Sequence, residues 1–157
     1  MRRTFSVISG LAVLALLLQF YLAGVGVFSM PEDELFALHG WNGRIVLPLL
    51  MLASIAFAAL AHAGRRTVWL TVIGFGLLAF QTILFILAGV LTGATPPPDA
   101  QINTAGTIML AFHVLNGLAI LGVSLVVARR AWGLAGSARA GTRVREDTAA
   151  VPTGAAS

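Results

Sequence analysis

The chain has 157 residues, 58% of them hydrophobic and 10% charged, with a mean hydropathy of +0.91. A soluble domain of this length has too little interior for so much apolar side chain, so lipid must solvate it. There is no cysteine, which excludes a disulfide framework, cysteine-ligated zinc or iron–sulfur, and thiol catalysis. The net charge of +4 comes from arginines placed mostly beside the ends of apolar segments, a topology signal rather than a nucleic-acid surface.

Met1-Arg2-Arg3 precedes an apolar run from about Phe5 to Phe28. A signal peptide also begins this way, and Val27-Phe28-Ser29 would pass as a weak cleavage site. Its apolar core is usually about 7–15 residues, however, and this run is longer. The run reads as a retained first transmembrane helix. Ala12, Ala15, Gln19, Ala23 and Gly26 form a small-residue stripe on it, with one amide, suited to a close helix contact. Ser29-Met30-Pro31-Glu32 has the pattern of a capping box with proline in the first turn. It predicts a second helix over about 31–62, carrying His39 and kinked at Pro48. Ala63-Gly64-Arg65-Arg66 ends it. A third helix is expected over about 67–91, with Gly74, Gln81 and Ala88 on one face. Thr92 to Pro98 makes a stiff extended loop, and Asp99 is expected to cap a fourth helix over about 100–131. Arg129-Arg130 and Trp132 close that helix. Beyond Gly133 apolar periodicity stops, so 133–157 is expected to be a disordered cytoplasmic tail.

The expected fold is therefore an all-α membrane protein. Residues 1–132 form a four-transmembrane-helix bundle built from two tandem helical hairpins. Arg2, Arg3, Arg65, Arg66, Arg129 and Arg130 fall on one side, and Glu32, Asp33, Glu34 and Asp99 on the other. The positive-inside rule then puts both termini in the cytoplasm and the protein in the cytoplasmic membrane.

The two hairpins share short signatures. Each first helix has a glutamine and a Leu-Ala-Gly-Val, at 22–25 and 87–90. Each second helix has His-x-x-Asn-Gly, as His39-Gly40-Trp41-Asn42-Gly43 and His113-Val114-Leu115-Asn116-Gly117. Parallel repeats about an axis along the membrane normal have this form. Residues i, i+3 and i+4 share a helix face, so His39, Asn42 and Gly43 point together, as do His113, Asn116 and Gly117. A glycine one turn from a histidine leaves flat space beside the imidazole, and asparagine can orient the ring or bind a polar edge. Haem b is a flat apolar group that takes two imidazoles, here His39 and His113 as ligands to its iron. A quinone bonded by His113, Asn116 or Gln81 is a variant.

Depth weighs against a shared haem. His39 stands roughly 39 Å above Arg65 and His113 roughly 24 Å above Arg129, at about 1.5 Å per helical residue. A symmetric dimer in which each chain supplies His113 would level the ligands.

With one histidine on helix two and one on helix four, the chain resembles a half of haem A synthase. It is similar, more distantly, to four-helix b-type membrane cytochromes. It also resembles small bacterial four-helix families of unknown function that carry a glutamine in helix three and His-x-x-Asn-Gly on helix four, over roughly residues 5–132. The haem resemblance implies His39 and His113 as axial ligands, with Glu32 and Glu34 as loose counterparts of that family's glutamate. The rival reading is a non-catalytic accessory or scaffold subunit whose Asn, Gln and Gly serve helix packing. A transporter is disfavoured by the lack of a buried acid or broken helix, and no spacing assembles a hydrolytic set. The expected partners are the lipid bilayer and a second copy or a larger membrane complex, with no nucleic acid.

Overall fold

The structure, a computed structural model, describes residues 1–30, 33–93 and 103–149, with 138–149 described by their backbone alone. The elements are α1 (Arg2–Phe28), α2 (Phe36–Trp41), a π-helical turn (Asn42–Val46), α3 (Leu47–Leu60), α4 (Arg65–Thr92) and α5 (Thr104–Ala149). No strand occurs among the described residues.

Four stretches are long and apolar enough to cross a membrane: Arg2–Phe28, Phe36–Leu60, Arg65–Thr92 and Thr104–Ser137. The shortest, at 25 residues, reaches roughly 37 Å at a helical rise of about 1.5 Å per residue, enough for a hydrocarbon core of about 30 Å. Among the described residues the fold is all-helical, and its four candidate spans point to a multi-pass membrane protein. The spans close into a ring: α1 packs on α2–α3 and on α5, α3 on α4, and α4 on α5.

Small residues set how closely the helices approach, because without a hydrophobic force between helices in lipid, packing must bring them together. Ala12 and Ala15 of α1 are buried, as are Gly74 and Ala88 of α4. Near the arginine end, Phe5 is fully enclosed among Ala58, Ala61, Val127 and Ala131. One layer further in, Ala15 and Leu16 meet Leu47, Met51 and Ile120. Large side chains such as Leu14, Val90 and Leu115 point outward, 62%, 76% and 60% exposed. That is the inverse of a soluble bundle and fits a lipid-facing surface.

Between these layers lies a cavity of about 20 Å³ that receives a hydroxyl from each span, Ser9, Ser54, Thr71 and Ser124. Ser54 Oγ is buried there without a hydrogen-bond partner. The volume suits a single water molecule.

Several boundaries differ from the sequence reading. Ser29 does not cap the second helix; its Oγ donates back to Gly26 O at 3.1 Å and closes α1. Pro31 and Glu32 lie outside the described residues, and α2 begins only at Phe36. Pro48 sits in the first turn of α3, directly after the π-helical turn. The proline ring crowds the carbonyl four residues earlier, Arg44, and the widened turn accommodates that conflict. Asp99 also lies outside the described residues. The cap observed on α5 is Asn103, whose Oδ1 accepts from Gly106 N at 2.8 Å. Finally, α5 runs to Ala149 rather than ending near 131. Alanine and arginine are strong helix formers, and no proline interrupts the chain before Pro152, so the helix propagates without apolar periodicity.

Candidate functional site

Gln19 is the centre of the first half of the site. Its side chain leaves α1 and meets α2 and the π-turn. His39 Nδ1 lies 3.0 Å from Gln19 O. A carbonyl can only accept, so Nδ1 carries the proton and Nε2 keeps its lone pair. Gln19 Nε2 donates to that Nε2 at 3.1 Å and also to His39 O at 3.1 Å. Asn42 Nδ2 donates to Gln19 Oε1 at 2.7 Å and to Ala15 O at 2.9 Å. Both amide protons of Gln19 and both of Asn42 are thus used, and both nitrogens of His39 are engaged. Asn42 is 5% exposed. Phe36 stacks on the outer face of His39 at 5.3 Å between ring centroids.

The second half repeats part of this pattern. Gln81 Nε2 donates to His113 O at 3.0 Å, as Gln19 does to His39 O. Asn116 Nδ2 donates to Leu77 O at 2.8 Å. Leu77 precedes Gln81 by the same interval that separates Ala15 from Gln19. Three bonds of the first half have no counterpart here, those of the glutamine to the imidazole Nε2, of the imidazole Nδ1 to the glutamine carbonyl, and of the asparagine to the glutamine Oε1; Gln81 Oε1 and His113 Nδ1 are buried without partners. One half is closed, and the other holds an unused acceptor on Gln81 and an unused ring nitrogen on His113. Phe85 tilts against His113 at 4.7 Å.

The two halves meet. The His39 and His113 rings stand 6.2 Å apart between centroids, edge to face at 64°. The depth argument from the arginine pairs is therefore overturned. Arg65 is a poor ruler for His39, because α3 ends at Leu60 and the turn before Arg65 adds no helical rise. Arg130 Nη1 comes within 3.5 Å of Thr67 Oγ1, which sets that part of α5 level with the start of α4. The π-turn, with more residues per turn, takes up part of the remaining difference.

The glycines do different work from that expected. A methyl at Gly43 would sit 2.8 Å from Gln19 Nε2, and one at Gly117 would sit 3.3 Å from Phe20 Cζ and 3.7 Å from Gln81 Nε2. The space beside each imidazole is filled by a neighbouring helix, so the glycines admit glutamine or phenylalanine rather than a slot.

The pentapeptides and Gln81 named in the sequence reading all fall in this site. Gln19, read there as interhelical glue, turns out to be its most connected residue. Phe20, Phe36 and Phe85 carried no sequence signal apart from apolar character. The Leu-Ala-Gly-Val matches do not coincide: they follow Gln19 by three residues and Gln81 by six, so the hydrogen bonds align the glutamines and leave that motif out of register.

Residues 19–89 match the sequence profile of DUF6220, a family of unknown function. The match begins at Gln19, includes His39, Asn42, Gly43 and Gln81, and ends before His113. It supports the resemblance to small families of that kind. No curated protein and no solved structure matches the chain. The likeness to haem A synthase rests on the histidine pattern alone.

Proposed function

We propose that this chain is a small cytoplasmic-membrane protein in which His39 and His113 hold haem b for electron transfer. It is built as two tandem helical hairpins with both termini in the cytoplasm. The observation that carries the reading is the approach of the two rings to 6.2 Å. Two imidazoles on one metal, with bonds of about 2.0–2.1 Å, have their centroids roughly 6 Å apart.

The donor set suits the group, while the space does not: neighbouring helices fill the room beside each imidazole and the rings stand edge to face, so holding a porphyrin requires the helices to part and the rings to turn. A porphyrin brings four donors of its own, so two imidazoles complete the iron's shell. Among the described residues there is no group of three His, Cys, Asp or Glu of the kind a bare ion would use. Gln19 O takes the Nδ1 proton of His39, which fixes the tautomer that presents Nε2 as a ligand. His113 Nδ1 is buried and unpaired. Haem b held by His39 and His113 would supply a one-electron couple, the chemistry of electron transfer. The chain's own work is orientation. Asn42 holds Gln19, Gln19 holds His39, and Gln81 anchors the backbone at His113. For His39 Nε2 to serve as a ligand, Gln19 Nε2 releases it and keeps its bond to His39 O.

The tandem hairpins are supported by the repeated bonds of Gln19 and Gln81 to histidine carbonyls and of Asn42 and Asn116 to α1 and α4. The topology is supported by the gathering of arginines at the end opposite Asp33 and Glu34.

Two further readings each have an observation in their favour. Gln81 Oε1 and His113 Nδ1 are each buried without a partner, an acceptor and a ring nitrogen of the kind that the oxygens of a quinone or quinol use. The saturated first half instead suits a scaffold or accessory subunit, with Gln19, His39 and Asn42 tying helices together.

Haem titration of the purified protein, followed by pyridine haemochrome assay, separates them. One haem per chain, lost in both His39→Ala and His113→Ala, is expected. One per two chains, lost only with His113→Ala, would replace the two-histidine site by a symmetric dimer. No uptake by folded protein would remove haem and leave the quinone and scaffold readings.

A further inference from the structure

At the arginine end, far along the helices from His39 and His113, α4 with Arg130 of α5 borders an open groove of about 420 Å³ lined by Arg65, Arg66, Trp69, Leu70, Ile73 and Arg130. We propose that this groove binds an anionic phospholipid, with the headgroup phosphate among the three guanidinium groups and an acyl chain along Leu70 and Ile73. Arg65 and Arg66 come from the start of α4, and Arg130 from α5. Arg130 leans onto α4, its Nη1 within 3.5 Å of Thr67 Oγ1. No carboxylate is among the residues that line the groove. Three like charges brought to one opening repel unless an anion lies between them, and guanidinium is the group best shaped to grip a phosphate.

The composition of the groove favours a lipid over a free phosphate. Its walls change from cationic to apolar along α4, from Arg65 and Arg66 to Leu70 and Ile73. Trp69, 54% exposed, stands at the changeover, where indole rings settle at a membrane interface. A single molecule with a charged head and an apolar tail fits that gradient; inorganic phosphate uses only its upper part. The groove lies at the end of two spans, where basic pockets between helices meet the headgroups of the adjacent leaflet. Arginines that merely set topology need not converge, whereas these come together from two helices.

The test uses the full chain in a neutral detergent, following thermal stability as phosphatidylglycerol, phosphatidylcholine or inorganic phosphate is added. Phosphatidylglycerol is expected to raise the midpoint, while phosphatidylcholine and phosphate at equal concentration do not. In Arg66→Gln/Arg130→Gln the apparent affinity for phosphatidylglycerol falls by about fivefold for each arginine removed. Arg2→Gln/Arg3→Gln, which removes the same charge from α1, leaves it unchanged. Ile73→Trp, which fills the apolar wall without altering charge, weakens the response while the unliganded midpoint checks folding. An equal loss in the two arginine pairs would reduce the effect to general electrostatics and overturn the site. A full response to inorganic phosphate would overturn the lipid assignment.

Discussion

At Gly43 the absence of a side chain has a direct energetic meaning. Gln19 Nε2 would lie 2.8 Å from a methyl there, and that amide is held by bonds to His39 and Asn42. The amide can move only by breaking some of them, at an average of about 0.6 and up to about 1.7 kcal/mol each in membrane bundles. Gly26 is tighter, because an added methyl would meet the Phe36 ring and its Cα at 2.9 Å, so backbone must move. At Gly117 the nearest atom is the tip of Phe20, which can turn aside, and at Gly24 there is open space. Thermal midpoints in detergent are therefore expected to fall in the order Gly26→Ala, Gly43→Ala, Gly117→Ala, with Gly24→Ala near neutral. The first two are expected to cost about 1–3 kcal/mol, the usual range for overpacking. A neutral Gly43→Ala would contradict the Gln19 network.

Between elements, two asparagines make unequal ties. Asn42 joins the π-turn to α1 with two bonds, and Asn116 joins α5 to α4 with one. Asn42→Leu leaves Gln19 Oε1 without a donor and removes a second bond to Ala15 O, whereas Asn116→Leu removes one bond to Leu77 O and strands nothing, because both carbonyls keep their helical donors. Each buried group stranded in this way costs about 1–3 kcal/mol. Urea or thermal unfolding in detergent should thus show Asn42→Leu as the more damaging change, and equal effects would contradict the asymmetry of the halves.

These ties also show what the sequence could reveal. Apolar length exposed the four spans, and small residues at helical spacing exposed the buried stripes of α1 and α4, because lipid and close packing act locally on each helix. The pairing of His-x-x-Asn-Gly with a glutamine was partly visible: the pentapeptides and Gln19 as an interhelical tie were found, but not that side chains fill the space beside the glycines. Which residue fills the space beside a glycine depends on how two helices meet, and spacing along one helix carries no trace of that. The relative depth of the histidines was misread because Arg65 lies beyond the turn that follows Leu60, and residues in a turn add no helical rise. Capping failed where it depended on loop geometry: Ser29 was expected to accept from the helix ahead, and instead it donates to the helix behind.

For the molecule as a whole, the closed ring of four spans places its charges at opposite ends. Because the chain has no cysteine, single cysteines report sidedness without further engineering. A cysteine at Ser137 is expected to resist an impermeant maleimide in intact cells and to react after lysis, while one at Gly93 reacts at once. The reverse pattern would invert the topology. Nearer the centre, the ring brings one histidine from each proposed hairpin to a shared point, with one half of the surrounding network closed and the other holding two unused polar atoms. A structural scaffold has no need of the second histidine's free nitrogen, and burial of an unpaired polar atom costs about 1–3 kcal/mol unless something binds it.

The most direct test of the two-histidine redox site is a reduced-minus-oxidised visible spectrum of the protein purified from cells supplied with haem, beside His39→Ala and His113→Ala. A sharp α-band of a b-type haem in the wild type, abolished in each variant, is the predicted result. A wild-type protein that is folded, by an unchanged thermal midpoint and helical circular dichroism, yet shows no band would contradict it.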